Sequence, residues 1–121
     1  MLGDAARRLI EALADVGLDA ATDPPALHPP CAWITGRRLG PRTLNGTFEI
    51  VLDCYLIARD TGIDESIRVL DSMLVDAIDA ADSKDFVLDS SSLAEAVTLP
   101  AGGGPLPAYR LTFIVDPDDD H

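Results

Sequence analysis

The sequence predicts an α+β fold, in which a single antiparallel sheet of about four strands carries two helices packed mainly on one face. Two segments, near residues 4–17 and 61–81, have the apolar spacing of amphipathic helices, and each is followed by two segments of strand character. This α-β-β-α-β-β order favours helices gathered against one sheet. With 121 residues we expect one domain at 1–115, followed by an acidic, disordered C-terminal tail at 116–121.

The first helix is predicted from a set of apolar residues that recur on one helical face, namely Leu2, Ala5, Ala6, Leu9, Ala12, Leu13 and Val16. The opposite face holds charged residues. Asp4 is expected as the N-cap and Gly17 as the stop. Residues 19–31 contain four prolines, so we expect an extended surface connector there without helix or sheet interior.

The first predicted hairpin has a strand at about 32–38, a loop at 40–46 and a long strand at 47–58. Alternate residues of the long strand form an uninterrupted apolar row, namely Phe48, Ile50, Leu52, Cys54, Leu56 and Ala58. The other face of this strand is mixed rather than polar. A half-apolar second face is typical of a strand covered on both sides, so we expect a neighbouring subunit as the second cover.

The second helix is predicted to open after Thr61-Gly62, with Thr61 and Asp64 spaced as a capping box. Its expected buried stripe consists of Ile63, Ile67, Leu70, Met73, Leu74, Ala77, Ile78 and Ala81. A polar loop ending in Ser90-Ser91-Ser92 follows. The closing hairpin is then predicted from strands at 93–99 and 108–115, joined by the Gly- and Pro-rich turn at 100–105.

The charge of the chain disfavours two classes of partner. Its 21 acidic and 9 basic residues give a net charge of -12, which repels DNA, RNA and anionic membrane surfaces. No apolar run approaches the ~20 residues of a membrane span, and the N-terminus lacks the apolar region of a signal peptide. Synthesis in the cytoplasm is therefore expected, where Cys31 and Cys54 favour free thiols over a disulfide.

A search for catalytic residues finds no credible set, so we predict no enzymatic activity, no cofactor and no metal. The residues available as zinc ligands, His28, Cys31, Cys54 and His121, lack a paired spacing. A Cys31–His28 pair has no group to orient it. The glycines at 102–104 are not followed by the Lys-Ser/Thr of a phosphate loop. A weaker alternative places an enzyme site on the second face of the long strand.

That alternative would use Glu49, Asp53 and Tyr55, but it supplies no credible base or nucleophile. A more specific feature is the cluster of Arg37, Arg38 and Arg42 at the tip of the first hairpin, in a chain with only 9 basic residues. One interpretation is a solvated hairpin end. The other is a partner-binding site, in which the tip docks on the acidic surface of another copy or of a partner ring.

The whole pattern resembles a known family. A short helix leads into a proline-rich stretch ending in Pro30-Cys31-Ala32-Trp33-Ile34, a basic-tipped hairpin precedes the helix after Thr61-Gly62, and the last strand is Tyr109-Arg110-Leu111-Thr112-Phe113-Ile114-Val115. In these features the chain is similar to the tail-terminator and head–tail joining proteins of long-tailed, double-stranded DNA bacteriophages. The similarity covers nearly the full length, but it is a pattern of residue classes without a diagnostic motif.

The resemblance implies a structural protein of the virion, assembled in the host cytoplasm as a homo-oligomeric ring, usually a hexamer. The ring would cap the tail tube, stop its polymerisation and join it to the head connector, with DNA passing through the lumen without being bound. The family has no catalytic residues to transfer. Alternatives are another connector or neck component, and a small cytosolic module that binds a ligand or a protein.

Overall fold

A computed structural model of the chain describes residues 2–23, 28–39, 50–84, 86–98 and 104–115, with residues 2–4 and 36–39 described by their backbone alone. The elements in chain order are α1 (Leu2–Asp15), β1 (Ala20–Ala21), β2 (Cys31–Leu39), β3 (Ile50–Ile57), α2 (Ile63–Ser83), β4 (Val87–Val97) and β5 (Leu106–Val115). The predicted loop at 40–46, the turn residues 100–103 and the tail at 116–121 lie outside the described residues.

The strands form one sheet in the order β1-β2-β3-β5-β4. The predicted α+β class with a single sheet is confirmed, but the prediction of about four antiparallel strands matches only roughly, since the described residues form a mixed sheet of five strands. The strand that the sequence did not predict is β1, which pairs parallel to the start of β2 through Ala20–Ala32 and Ala21–Trp33. A two-residue strand has no periodicity to reveal it, and the prolines that follow suggested a connector throughout.

Helix α1 buries the apolar face that the sequence predicts. Ala5, Leu9 and Leu13 are fully enclosed, and Gly17 ends the helix in a left-handed conformation with φ 85°. The helix begins at Leu2, so Asp4 lies within it and the prediction of Asp4 as N-cap is wrong. Helix starts are hard to locate here because the apolar periodicity already extends to Leu2.

Helix α2 opens without the predicted capping box. Its N-cap is Gly62 at φ 102°, a conformation that favours glycine, and no side chain caps the first turn. The buried Ser66 instead donates its hydroxyl to the Arg59 carbonyl at 2.9 Å. This bond ties the first turn of α2 to the segment that follows β3.

The buried stripe of α2 is narrower than its apolar stripe. The residues enclosed are Ser66, Leu70, Met73, Ala77, Ala80 and Ala81. Ile63 and Ile67, which were predicted to be buried, are 76 % and 43 % exposed. The residues that contact the core follow the helical spacing 66, 70, 73, 77 and 80. The apolar residues to one side of this row, such as Ile63 and Ile67, therefore lie beside the core and not in it.

Strand β4 begins earlier than predicted. It runs from Val87 to Val97, so Ser90, Ser91 and Ser92 form part of a strand and the predicted polar loop is wrong. Serine favours loops by its own propensity, but here the antiparallel ladder with β5 decides the conformation. The register of that ladder shifts between Leu88 and Ser90 and again between Ser92 and Glu95.

Both helices pack on one face of the sheet, as predicted. The main core unites them with Ala32, Ile34, Leu52, Leu56 and the facing residues of β5, including the fully buried Phe113. On the opposite face a smaller cluster encloses Cys31, Ile57, Val97 and Ala108. Ile57 is fully buried and Val51 is 6 % exposed. The chain therefore encloses part of this second face with its own side chains. The neighbouring subunit that we expect to cover the rest stays a prediction.

Candidate functional site

The sheet face opposite the helices is a candidate site, since it holds a polar row bordered by aromatic rings. Strand register places Thr35, Asp53 and Thr112 side by side there, and the Thr112 hydroxyl donates to an Asp53 carboxylate oxygen at 2.9 Å. At the next residue pair of β2 and β3 on the same face, the ring centroids of Trp33 and Tyr55 lie 5.7 Å apart. We call this surface the open face.

The open face brings together two residues of the alternative enzyme site. Asp53 and Tyr55 both lie on it, half-buried, whereas Glu49 is outside the described residues. Asp53 is bonded to Thr112, and Tyr55 packs on Trp33. Next to them Arg110 forms an ion pair with Glu95 at 3.5 Å. In this arrangement the groups contact one another, which is typical of a cross-strand network that stabilises a sheet.

The cysteines are free thiols, as the sequence favours, and they lie on opposite faces of the sheet. Cys31 belongs to the open-face cluster and Cys54 to the main core. Burial is the largest cause that raises the pKa of Cys31 to about 11 and that of Cys54 to about 12. Both thiols are therefore protonated at neutral pH, and Cys31 is not poised as a nucleophile with the exposed His28.

No group of three or more His, Cys, Asp or Glu side chains within the described ranges is placed to hold a metal ion. Neither described helix combines the length and apolar character that a membrane span requires.

The predicted partner-binding arginines are only partly located. Arg37 and Arg38 lie in β2, in the segment that extends past the end of β1, and Arg42 is outside the described residues. The register between β2 and β3 shifts between Thr35 and Arg38, next to these residues. The structure thus places two of the three arginines in the last residues of β2, the second strand of the sheet.

Sequence reasoning missed the exposed apolar residues of α2 and β4. Val87 is 63 % exposed, Leu93 53 % and Val75 59 %, in addition to the two isoleucines at the start of α2. Between the end of α2 and the start of β4 lies a groove of about 230 Å³, lined by Ile78, Ala81, Phe86, Val87, Leu88 and Phe113, with Asp79 and Asp82. Apolar patches of this kind mark contacts with other proteins. The one available signal was Phe86-Val87-Leu88, an apolar run in a stretch that we assigned to a loop.

A second concavity lies at the other end of the helices. This cleft of about 370 Å³ is lined by the end of α1, by Pro30 and by one side of α2, including Arg68, Ser72, Met73 and Asp76. Arg68 itself pairs with Glu65 at 2.9 Å on the exposed helix surface. The cleft is partly apolar and opens to solvent, which suits a small ligand in size.

Comparison of the chain with protein-family models finds no match, and comparison with curated proteins finds no similar sequence.

Proposed function

We propose that the chain is a structural virion protein, a tail terminator that forms a ring on the end of a bacteriophage tail tube. The ring, a hexamer in our proposal, stops polymerisation of the tube protein and joins the tube to the head connector. DNA passes through its lumen without being bound. The chain acts in the tail or neck of the virion after assembly in the host cytoplasm, and it performs no catalysis.

The observation that supports this proposal most is the set of exposed apolar side chains on α2 and β4. A small domain with a well-enclosed main core still leaves Ile63, Val75, Val87 and Leu93 more than half exposed. Burying such side chains against protein is favourable by roughly 25 cal/mol per Å² of apolar surface. We therefore expect other protein subunits to cover this surface, as they would in a ring stacked on a tube.

The net charge supports the proposal that DNA passes through the ring without being bound. A value of -12 on each copy makes a closed ring strongly negative, so its walls repel the phosphate backbone of passing DNA. The same charge opposes assembly, because copies repel one another. Contacts between copies must then place the few basic residues against acidic ones.

The proposal is tested by adding the purified chain to growing tail tubes of the same phage. We expect the chain to sediment with the tubes and to halt their elongation, so that electron microscopy shows short tubes with a capped end. A chain that remains in the supernatant and leaves tube length unchanged would contradict the proposal. Capping of portal or connector complexes instead of tubes would favour the neck-component alternative.

The cleft between α1 and α2 favours the second candidate, a small cytosolic ligand-binding module. Such a module needs no ring, so light scattering during size-exclusion chromatography separates the two functions. A monomer whose melting temperature rises with a metabolite mixture, and whose rise is lost when the exposed Ser72→Trp fills the cleft, would support the module.

A further inference from the structure

Within the described ranges, the sheet ends on each side in a strand segment that has no strand paired to its outer side. Strand β4 is the last strand on one side, and the described residues place no strand beyond it. On the other side β1 pairs only with Ala32 and Trp33, so β2 continues from Ile34 to Leu39 without a described strand on its outer side. We call this part of β2 the β2 extension. Unpaired backbone groups on such edges are ready to bond to another strand.

Strand β4 lacks two of the devices that protect edges from pairing, since it contains neither lysine nor proline. Eight of its eleven residues are exposed. Its two register shifts leave Ser90–Ser92 as a regular stretch in the middle. The apolar groove beside Val87 and Leu88 lies along the same strand, so a partner pairing with β4 would also cover these side chains.

The two edges carry opposite charges. Strand β4 contains Asp89 and Glu95, the latter already paired with Arg110, and no basic residue, whereas the β2 extension contains Arg37 and Arg38 and no acidic residue. Among the other arginines, Arg59 donates to the Pro29 carbonyl, and Arg68 and Arg110 pair with glutamates of their own chain. The β2 extension is therefore the basic segment that a sheet edge offers to an acidic partner.

We infer that β4 of one copy pairs with the β2 extension of a second copy, so that the sheet continues from subunit to subunit. This inference rests on the proposed ring and names the contact that builds it. The occupant of each edge is this chain itself, because each copy carries both an acidic edge and a basic one.

The direction of the strands fixes the type of pairing. Strands β2 and β3, β3 and β5, and β5 and β4 are antiparallel, so β4 runs opposite to β2 within one sheet. Copies placed side by side in the same orientation therefore bring β4 and the neighbour's β2 together as an antiparallel pair. The contact joins two different surfaces, so it repeats head to tail and closes into a ring when the rotation between copies permits.

Cysteine cross-linking tests this contact, because register assigns the side chains to faces. Thr35, Ser90 and Ser92 lie on the open face, whereas Ser91 lies on the helix face. We expect the double variants Thr35→Cys/Ser90→Cys and Thr35→Cys/Ser92→Cys to give a ladder of cross-linked oligomers on mild oxidation. Thr35→Cys/Ser91→Cys is the matched control, and at least one of the two open-face pairs should exceed it by roughly tenfold, since a disulfide requires specific geometry.

The native cysteines do not interfere, because both are fully buried. Within one chain, strands β3 and β5 lie between the cysteine introduced in β2 and the one introduced in β4, so every cross-link is between copies. Circular dichroism of each variant verifies that it folds. Light scattering of the oxidised and reduced samples gives the size of the assembly.

The outcomes separate the failure of the contact from the failure of the ring. Oligomers by light scattering without the ladder would overturn the strand pairing but leave the ring. Cross-linked dimers of Ser92→Cys alone would show two-fold pairing of β4 with itself and would overturn the head-to-tail contact. A monomer at every concentration, with no ladder even on tail tubes, would overturn both.

Discussion

Leu70 is the single residue whose removal we expect to damage the fold most clearly. It is 2 % exposed in the main core, whereas Ile63, which the sequence also predicted to be buried in the same helix, is 76 % exposed. We expect Leu70→Ala to lower the free energy of unfolding by about 2–5 kcal/mol through a cavity. Ile63→Ala should cost roughly 0.5 kcal/mol or less.

Urea denaturation of the two variants measures the difference. An Ile63→Ala variant as unstable as Leu70→Ala would show that the sequence-based stripe, and not the observed one, faces the core.

The buried thiols predict a loss of stability at alkaline pH. Burial raises the pKa of Cys54 from 9.0 to about 12 and that of Cys31 from 9.0 to about 11. As the pH rises above 9, thiols ionise in the unfolded chain before they ionise in the folded one, so unfolding becomes more favourable. Tyr109 adds to this, because burial and its 2.7 Å hydrogen bond to Asp71 raise its pKa above 10.0.

Urea midpoints at pH 8 and pH 10.5 test this prediction. Cys54→Ala should lose less stability between the two pH values than the unchanged chain, although a cavity makes it less stable at pH 8. An equal loss in both proteins would show that the buried thiol does not cause the alkaline effect.

At the scale of secondary-structure elements, the sequence predicted those with strong periodicity. The apolar row Ile50, Leu52, Cys54 and Leu56 and the apolar face of α1 enter the main core as expected. Neither β1 nor the first half of β4 could be predicted, because tertiary pairing and not local pattern makes them strands. The core residues Leu70, Met73, Ala77 and Ala81 of α2 are buried as predicted, but Ile63 and Ile67 are exposed because the apolar arc is wider than the line along which α2 contacts the core.

The residues that we propose for contacts between copies could be predicted only in part. Arg37 and Arg38 were identified from charge alone, and their place at a sheet edge depends on how far β1 extends. The exposed apolar residues of β4 were not identified, since periodicity does not distinguish an edge strand from a central one.

The arginines of the first hairpin give a prediction about this element. Changing Arg37, Arg38 and Arg42 together to glutamate should leave folding intact but prevent assembly, because the acidic β4 edge then meets further acid. Sedimentation velocity should show a shift from oligomers to monomers, and circular dichroism should be unchanged. Changing the three residues to lysine is the control and should retain assembly. A folded glutamate variant that assembles normally would contradict a partner-binding role for these residues.

For the whole molecule, the charge predicts that the chain does not bind DNA. A net charge of -12 opposes the release of counterions that drives binding to phosphates. We expect no shift of double- or single-stranded DNA in gels at physiological salt. An affinity for DNA in the micromolar range would contradict a passive conduit. If the triple glutamate variant lost this DNA binding, the binding would be assigned to the three arginines.

The most direct test of the account is electron microscopy of the purified chain at high concentration, alone and with tail tubes. We predict closed rings with a central hole, six-fold in symmetry, either free in solution or seated on tube ends. The exposed apolar residues of α2 and β4, among them Val75 and Val87, should become protected from hydrogen exchange in the same samples. Monomers under both conditions, with these segments unprotected, would contradict the central claim that this chain works as a ring.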